Sequence, residues 1–180
     1  MAITMKSKAI FFDRDGVVNF RIVKEYIKAP KDFKFLPDFI RFFTKIKSEE
    51  YLTILITNQQ GIGKGLMSVE ELESVHNYMQ IELKELTGQN FDDIYYSTEL
   101  AGTNSYRRKP NPGMLIEAKE KWDIDMENSW MIGDRNSDVT AGKRAGLKTI
   151  LLKSVKNGDY PDADYVFRNL DEVFNNLFSK

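Results

Sequence analysis

Short apolar segments alternate with longer amphipathic segments along the whole chain. The short segments are rich in β-branched and aromatic residues and stop at polar or glycine-containing stretches, as buried strands do. They predict strands over 8–12, 51–57, 93–97, 129–133, 148–152 and 164–167.

The longer segments repeat their apolar residues at helical spacing. Four apolar side chains share one face over 38–50, which follows a proline. The longest helix is predicted over 68–88, with Ser68 as N-cap, Glu71 completing a capping box, and Gly88 at its end. Further helices are predicted over 112–122, 137–146 and 170–178.

Regular alternation of strands and helices predicts an α/β fold. We expect a Rossmann-like three-layer α/β/α arrangement with a central, mainly parallel sheet. Residues 1–180 are expected to form one domain without a separate cap domain, because 16–56 holds only a loop, a helix and a strand. Ligands of such sheets bind at the carboxyl ends of the strands.

Acidic side chains follow two of these strands. Asp13 and Asp15 come after the first, and Asp134 follows 129–133. An Asp-x-Asp pair alone is also typical of a turn or a helix cap, but the other strand ends favour a chemical site, and carboxylate oxygens suit Mg²⁺. The remaining polar residues near these strand ends are Thr57, Asn58, Arg107, Arg108, Lys109, Arg135 and Asp138.

Thr57 and Lys109 are candidates for binding a phosphoryl group beside this acidic site. Taken alone, the threonine is an ordinary strand residue and the lysine an ordinary solvated charge. Beside a metal site, a hydroxyl and an ammonium group together can hold the oxygens of a phosphoryl group. We therefore predict that both bind phosphate.

Composition narrows the classes of protein. Hydrophobic residues make up 42% and charged residues 29%, and the formal net charge of −1 gives no basic surface for nucleic acid. The chain has no cysteine, which excludes disulfides and thiolate zinc sites and fits a reducing cytoplasm. No segment approaches the roughly 20 apolar residues that span a bilayer, so a cytoplasmic protein without membrane partners is expected.

Four stretches in order resemble the motifs of the haloacid dehalogenase-like (HAD) phosphatases. They are DRDGVVN, TNQQGIGKG, RKPNPGM and GDRNSDVTAGKRAG. Within that superfamily they are most similar to the branch of heptose 1,7-bisphosphate 7-phosphatases and histidinol-phosphatases, with polynucleotide 3′-phosphatases as further relatives. The resemblance extends from residue 8 to about residue 152.

This resemblance implies a mechanism. Asp13 is the nucleophile that forms an aspartyl-phosphate, and Asp15 is the general acid and then the general base. Mg²⁺ is bound by the Asp13 carboxylate, the Asp15 backbone carbonyl and Asp134, and Asp138 supports the metal site.

The resemblance also assigns residues that bind the substrate. Thr57 and Lys109 stabilise the phosphoryl group, and Asn58 fixes the second motif. Arg108 matches a substrate-recognition position, and Arg135 stands where the branch commonly has a lysine.

One segment departs from the branch. Relatives usually carry a zinc loop of cysteines and a histidine before the Arg-Lys-Pro motif, whereas 97–110 contains neither residue type. The single histidine, His76, is predicted to lie on a helix surface. We therefore predict Mg²⁺ and no zinc.

The loop 19–30 is expected to lie beside an open site. Arg21 and Lys24 either bind a second anionic group there or are ordinary solvated charges. The predicted partner is a small phosphorylated sugar or a related metabolite, with heptose 1,7-bisphosphate favoured over histidinol phosphate and a nucleic-acid 3′-phosphate. A monomer or a weak oligomer is expected.

Two other interpretations are weaker. A receiver-like signalling domain also uses acids, a threonine and a lysine on a parallel sheet, but it lacks an acid at the position of Asp15. The glycine-rich 61–65 fails the Walker A spacing and is interpreted as a flexible turn. Arg14 is expected to point away from its acidic neighbours and to be structural.

Overall fold

A parallel sheet forms the centre of the computed structural model, which describes residues 6–22, 25–153 and 162–179. Its strands are β1 (Ala9–Phe12), β2 (Leu52–Asn58), β3 (Asp93–Ser97), β4 (Trp130–Gly133), β5 (Lys148–Leu152) and β6 (Tyr165–Phe167). Their order is β3-β2-β1-β4-β5-β6, and every neighbouring pair is parallel. The chain runs outward from β1 to β3 and returns beside β1 at β4, so the topological switch lies between β1 and β4.

Helices cover both faces of this sheet. They are α1 (Pro37–Lys47), α2 (Gln60–Gly63), α3 (Val69–Thr87), α4 (Gly113–Trp122), α5 (Asn136–Ala145) and α6 (Leu170–Val173). Helix α1 packs against α3 and α6, whereas α4 packs against α5. The predicted three-layer α/β/α fold is confirmed.

The four inner strands β1, β2, β4 and β5 are largely buried, and alternate residues of β1 enter two separate cores. Ile10 and Phe12 of β1 belong to the core that includes the phenylalanines of α1. Ala9 and Phe11 belong to the core that includes Met114 and other apolar residues of α4 and α5. This division follows from the two-residue period of a strand and explains why β1 is apolar throughout.

The ends of the predicted helix 68–88 are confirmed in detail. The Ser68 hydroxyl oxygen accepts from the Glu71 N–H (3.1 Å), and a Glu71 carboxylate oxygen accepts from the Ser68 N–H (2.8 Å). Gly88 ends the helix in the left-handed conformation, with φ 76°.

Two predicted segments differ from the structure. The turn expected over 61–65 is largely the short helix α2, which is closed by backbone bonds from Lys64 N–H to Gln60 O (3.0 Å) and from Ile62 N–H to Gln59 O (3.3 Å). Glycine content concealed this turn of helix. The helix predicted over 170–178 is α-helical only to Val173 and continues as a π-type turn over Phe174–Phe178.

The connection from β1 to β2 places no second folded layer over the sheet edge in the residues described. It consists of loops, a 3₁₀ turn at Pro30–Asp32 and α1. Within the described ranges, no helix combines the length and the apolar character needed to cross a bilayer.

We predict that Ser68→Ala lowers the free energy of unfolding by about 1 kcal/mol, because it removes the side-chain cap of α3. Urea denaturation followed by circular dichroism measures the change. Ser74→Ala is the matched control, because Ser74 is exposed within the same helix. It should be neutral or slightly stabilising, and an equal loss in both variants would contradict the capping role.

Candidate active site

Asp13 lies at the switch point of the sheet. It directly follows β1, and its backbone N–H donates to Ile132 O of β4 (3.0 Å). Its side chain is almost completely buried and lines a cavity at the carboxyl edge of the sheet. The pairing of β1 with β4 therefore fixes the position of the Asp13 carboxylate in the cavity.

Gly16 brings the turn after β1 against Asp134. Its φ is +94°, and a Cβ built there would lie 2.4 Å from Asp134 Oδ2. Any larger residue would be strained in this conformation and would collide with the carboxylate. Glycine at this position allows Asp134, which follows β4, to approach the two aspartates after β1.

Lys109 connects three of the elements around the site. Its ammonium group donates to Asp13 Oδ1, to Asp138 Oδ1 and to the backbone oxygen of Ile56, each at 2.7 Å. The side chain is 3% exposed. The two carboxylates outweigh the effect of burial and raise the pKa of Lys109, so its charge is retained.

Asn58 holds the backbone of Lys109 from β2. Its amide nitrogen donates to Lys109 O (2.9 Å), and its amide oxygen accepts from the Lys109 N–H (3.1 Å). This two-way clamp aligns the lysine with the end of β2. Asn58 therefore acts on Lys109 in the structure, in addition to lining the cavity.

Asp138 supports the site from the first turn of α5. One carboxylate oxygen accepts from Lys109, and the other accepts from the Arg135 N–H (3.0 Å). A Cβ on Gly133 would lie 2.2 Å from Asp138 Cβ, so glycine is required for this close packing. Both Asp138 oxygens are thus occupied by protein donors.

Gln59 is a residue that the sequence did not single out. Its amide nitrogen donates to Thr57 Oγ1 (2.8 Å) and to Asp15 Oδ2 (3.1 Å), and it is buried. It thereby links the ends of β2 and β1. Its place at the end of a strand, directly after Thr57 and Asn58, was the available signal.

The expectation that Arg14 points away from the acids is wrong. Its guanidinium group donates to both oxygens of Asp15, at 3.2 and 3.1 Å. The strand ends at Phe12, so strict alternation no longer applies, and a long side chain can fold back. Asn19 adds a further hydrogen bond to Asp15 Oδ1 (3.0 Å).

The prediction that His76 lies on a helix surface is also wrong. His76 is 5% exposed, and its Nε2 lies 3.2 Å from Arg14 Nη1. It shares the buried face of α3 with Val75 and Met79. In sequence His76 lies between the apolar Val75 and the polar Asn77, and its own polar character led to the wrong prediction.

The two aspartates after β1 are shifted in opposite directions. Burial raises the pKa of Asp13 to about 6, against the lowering effect of Lys109. Burial also opposes ionisation of Asp15, but the charge of Arg14 and hydrogen bonds from Asn19 and Gln59 hold its pKa below the usual range. Burial and the charge of Asp13 raise the pKa of Asp134.

The donor set fits a hard divalent cation. Carboxylate oxygens of Asp13, Asp134 and Asp138 lie within 4.8 Å of one another. Because Asp138 is occupied by Lys109 and Arg135, the accessible ligands are Asp13, Asp134 and the Asp15 carbonyl. Arg21 donates to Asp15 O (2.6 Å) and to Asp134 Oδ1 (2.9 Å), so these oxygens converge on a point that attracts positive charge.

The cavity has a volume of about 1110 Å³ and contains both aspartates after β1, Thr57 and Lys109. Apart from Arg14 and Lys109, its lining includes Glu25 and four cationic side chains, which are called the basic wall below. The cationic residues of that wall are Arg21, Lys64, Arg108 and Arg135. Lys24, which was also predicted to bind an anion, lies outside the described residues.

Comparisons with known proteins identify relatives of this chain. Residues 106–177 match the family model of HAD-hydrolase-like proteins. The chain is 38% identical over 175 residues to D-glycero-α-D-manno-heptose-1,7-bisphosphate 7-phosphatase of Campylobacter jejuni, covering 95% of this chain and 96% of that protein. It is 38% identical over 146 residues to the corresponding β-anomer enzyme of Helicobacter pylori, covering 81% and 83%.

The chain belongs to the HAD-like heptose-bisphosphate phosphatase family. A crystal structure of D,D-heptose 1,7-bisphosphate phosphatase from B. bronchiseptica, in complex with magnesium and phosphate, superposes with a TM-score of 0.84. The two are 28% identical, and the match covers 93% of this chain and 96% of that one.

The segment 97–110, which contains neither cysteine nor histidine, is held by hydrogen bonds. The Ser97 hydroxyl donates to Glu99, and Arg108 Nη1 donates to the Glu99 backbone oxygen (2.8 Å). The Asn111 amide donates to Ser105 O (2.7 Å). These bonds hold Arg108 at the wall of the cavity.

The buried ammonium group of Lys109 should contribute measurably to the free energy of unfolding. We predict that Lys109→Met lowers the free energy of unfolding by about 3 kcal/mol at pH 8, because Asp13 and Asp138 lose their shared counter-charge. Without the lysine, the Asp13 pKa rises further above its unfolded value. Stability is then lost as pH rises, so the deficit should be smaller at pH 5.

Urea denaturation in EDTA at both pH values measures this effect. Lys121→Met is the matched control, because Lys121 forms a salt bridge of 2.8 Å with Asp93 but is largely exposed. Its loss should be below about 1 kcal/mol. A deficit for Lys109→Met that is equally small, or that grows toward pH 5, would contradict the interpretation.

Proposed function

We propose that the protein is a Mg²⁺-dependent phosphomonoester hydrolase that removes the 7-phosphate of D-glycero-D-manno-heptose 1,7-bisphosphate. The observation that carries this proposal is the placement of two aspartates with opposite environments in one cavity, beside a buried lysine. The relatives named above supply the substrate class.

Asp13 is the proposed nucleophile. One carboxylate oxygen attacks phosphorus, the bond from phosphorus to the sugar oxygen breaks, and an acyl phosphate forms on Asp13. Lys109 contacts Asp13 at 2.7 Å, so it can offset negative charge on the phosphoryl oxygens beside it. Thr57, which lines the same cavity, supplies a hydroxyl donor.

Asp15 is the proposed general acid and base. It gives a proton to the sugar oxygen as that oxygen leaves. It then takes a proton from the water that attacks the acyl phosphate, which releases inorganic phosphate and restores the Asp13 carboxylate. Gln59, Asn19 and Arg14 hold the Asp15 side chain during both steps.

Asp13, Asp134 and the Asp15 carbonyl are proposed to hold Mg²⁺, with Asp138 supporting them through Lys109 and Arg135. When bound, the metal neutralises phosphate charge and orients the phosphoryl group for in-line attack. The acidic oxygens and their convergence support this assignment.

The basic wall of the cavity is proposed to bind the second phosphate of the sugar. Arg108 and Arg135 are the principal candidates, and Arg21 and Lys64 lie along the same wall. A cavity of about 1110 Å³ accommodates a sugar bisphosphate. One domain over 1–180, a cytoplasmic location and a monomeric or weakly oligomeric state remain predictions.

We predict that heptose 1,7-bisphosphate has the highest kcat/KM in a phosphate-release assay with Mg²⁺. The panel contains its α and β anomers, heptose 7-phosphate, histidinol phosphate, a 3′-phosphorylated oligonucleotide and p-nitrophenyl phosphate. The monophosphate should be poorer because the basic wall has no second anion to bind, and phosphorus NMR should identify heptose 1-phosphate as the product.

EDTA should abolish this activity, and added Mg²⁺ should restore it. The heptose assignment is lost if no member of the panel exceeds p-nitrophenyl phosphate. It is replaced if histidinol phosphate or the oligonucleotide is preferred.

We predict that Asp15→Asn lowers kcat on the sugar phosphate by about 10²–10⁴-fold, because an amide cannot transfer the proton. Phosphate binding, measured by calorimetry with Mg²⁺, should be retained. Asp32→Asn, on the exposed 3₁₀ turn, is the control and should keep full activity. Unchanged turnover in Asp15→Asn would exclude Asp15 as the acid.

A further inference from the structure

Arg14 carries a full positive charge in the protein interior. It is 1% exposed and is the largest of the fully buried side chains. Burying an unpaired guanidinium group costs several kcal/mol, so its position depends on the partners it finds. Its only ionic partner among the described residues is Asp15.

The hydrogen bonds of Arg14 run in two directions. Nη2 donates to Asp15, and Nη1 lies 3.2 Å from His76 Nε2, whereas Nε has no hydrogen-bond partner in the described part of the chain. The two terminal nitrogens therefore determine the orientation of the guanidinium plane. Asp15 fixes the position of Nη2, and His76 fixes that of Nη1.

His76 must be the acceptor in this contact. Arginine has only donors, so Nε2 presents its lone pair and the proton resides on Nδ1. Burial and the charge of Arg14 lower the pKa of His76 to about 3, which agrees with a neutral ring. The rigid face of α3 thus carries a fixed acceptor aimed at Arg14.

We propose that His76 is a positioning residue for proton transfer. By accepting from Arg14 Nη1 it fixes the guanidinium plane, whose other nitrogen donates to both oxygens of Asp15 and sets the direction of that carboxylate. The inference rests on the proposed role of Asp15 as general acid and base. It assigns a function to the single histidine of the chain, 62 positions from Arg14 in sequence.

Positioning of a general acid has a kinetic signature. An alkoxide leaving from a sugar needs a proton in the transition state, whereas nitrophenolate leaves without one. The value of kcat/KM reports the steps up to formation of the acyl phosphate. A misplaced Asp15 should therefore lower kcat/KM on the sugar phosphate far more than on p-nitrophenyl phosphate.

The experiment measures both substrates with Mg²⁺ for three replacements of His76. His76→Leu removes the acceptor, His76→Asn shortens it, and His76→Gln places an amide oxygen near the position of Nε2. We expect Leu and Asn to lower kcat/KM on the sugar phosphate by at least about 10-fold and to change the aryl substrate by less than about 3-fold. Gln should restore most of the loss.

Val75→Ala is the matched control, because Val75 is buried beside His76 on the same helix but has no polar contact with Arg14. It should affect both substrates equally. If His76→Leu does not fold, as judged by circular dichroism, the comparison of Gln with Asn decides. An equal fall on both substrates, or a Gln variant as defective as Asn, would overturn the proposal.

Asp15→Asn is measured in parallel to separate the two claims. Asp15→Asn could lower kcat/KM on the sugar phosphate more than on p-nitrophenyl phosphate while the His76 variants lower both equally. In that case the role of His76 fails and that of Asp15 stands. If Asp15→Asn itself lowers kcat/KM equally on both substrates, the proposed role of Asp15 fails and this inference fails with it.

Discussion

The ammonium group of Lys109 lies in the interior between two carboxylates, and this placement constrains the whole site. Its contacts with Asp13, Ile56 and Asp138 join β1, β2 and α5 through one atom. A charge so deeply buried is tolerated only when every partner is correctly placed. Small displacements of any of these elements would therefore be costly, and the geometry of Asp13, the proposed nucleophile, is set by the fold as a whole.

Parallel topology makes this arrangement possible. Because the order β3-β2-β1-β4-β5-β6 places β1 and β4 side by side, the residues that follow them meet at one edge although they are far apart in sequence. Gly16 and Gly133 then allow backbone and carboxylates to approach more closely than any side chain would permit. The apolar strands bury the site at the sheet edge, and the two glycines allow the carboxylates to lie close to the backbone.

Sequence was sufficient for the parts of the molecule that follow local periodicity. The buried strands, the capped helix α3 and the acids at strand ends were predicted, because each depends on neighbours in sequence or on a simple rule of parallel sheets. Arg14, Gln59 and His76 were misjudged or overlooked, because their partners are set by three-dimensional packing. A polar residue on a helix reveals its burial only when the facing element is known.

The pKa values of Asp13 and Asp15 are shifted in opposite directions in the protein, and a bound metal ion and substrate would change both. The proposed nucleophile Asp13 must be ionised and the proposed acid Asp15 must be protonated. Burial raises the pKa of Asp13 to about 6, and the charge of Arg14 with hydrogen bonds from Asn19 and Gln59 lowers the pKa of Asp15. A divalent cation beside Asp13 favours its ionised form, and a phosphoryl dianion beside Asp15 favours proton uptake. Both ligands therefore move the pair toward the reactive protonation states. A carboxyl group with a pKa of about 6 is already largely ionised at pH 7, so the proposed role of Asp13 is compatible with the protein alone, whereas that of Asp15, whose pKa is lowered, depends on the bound substrate.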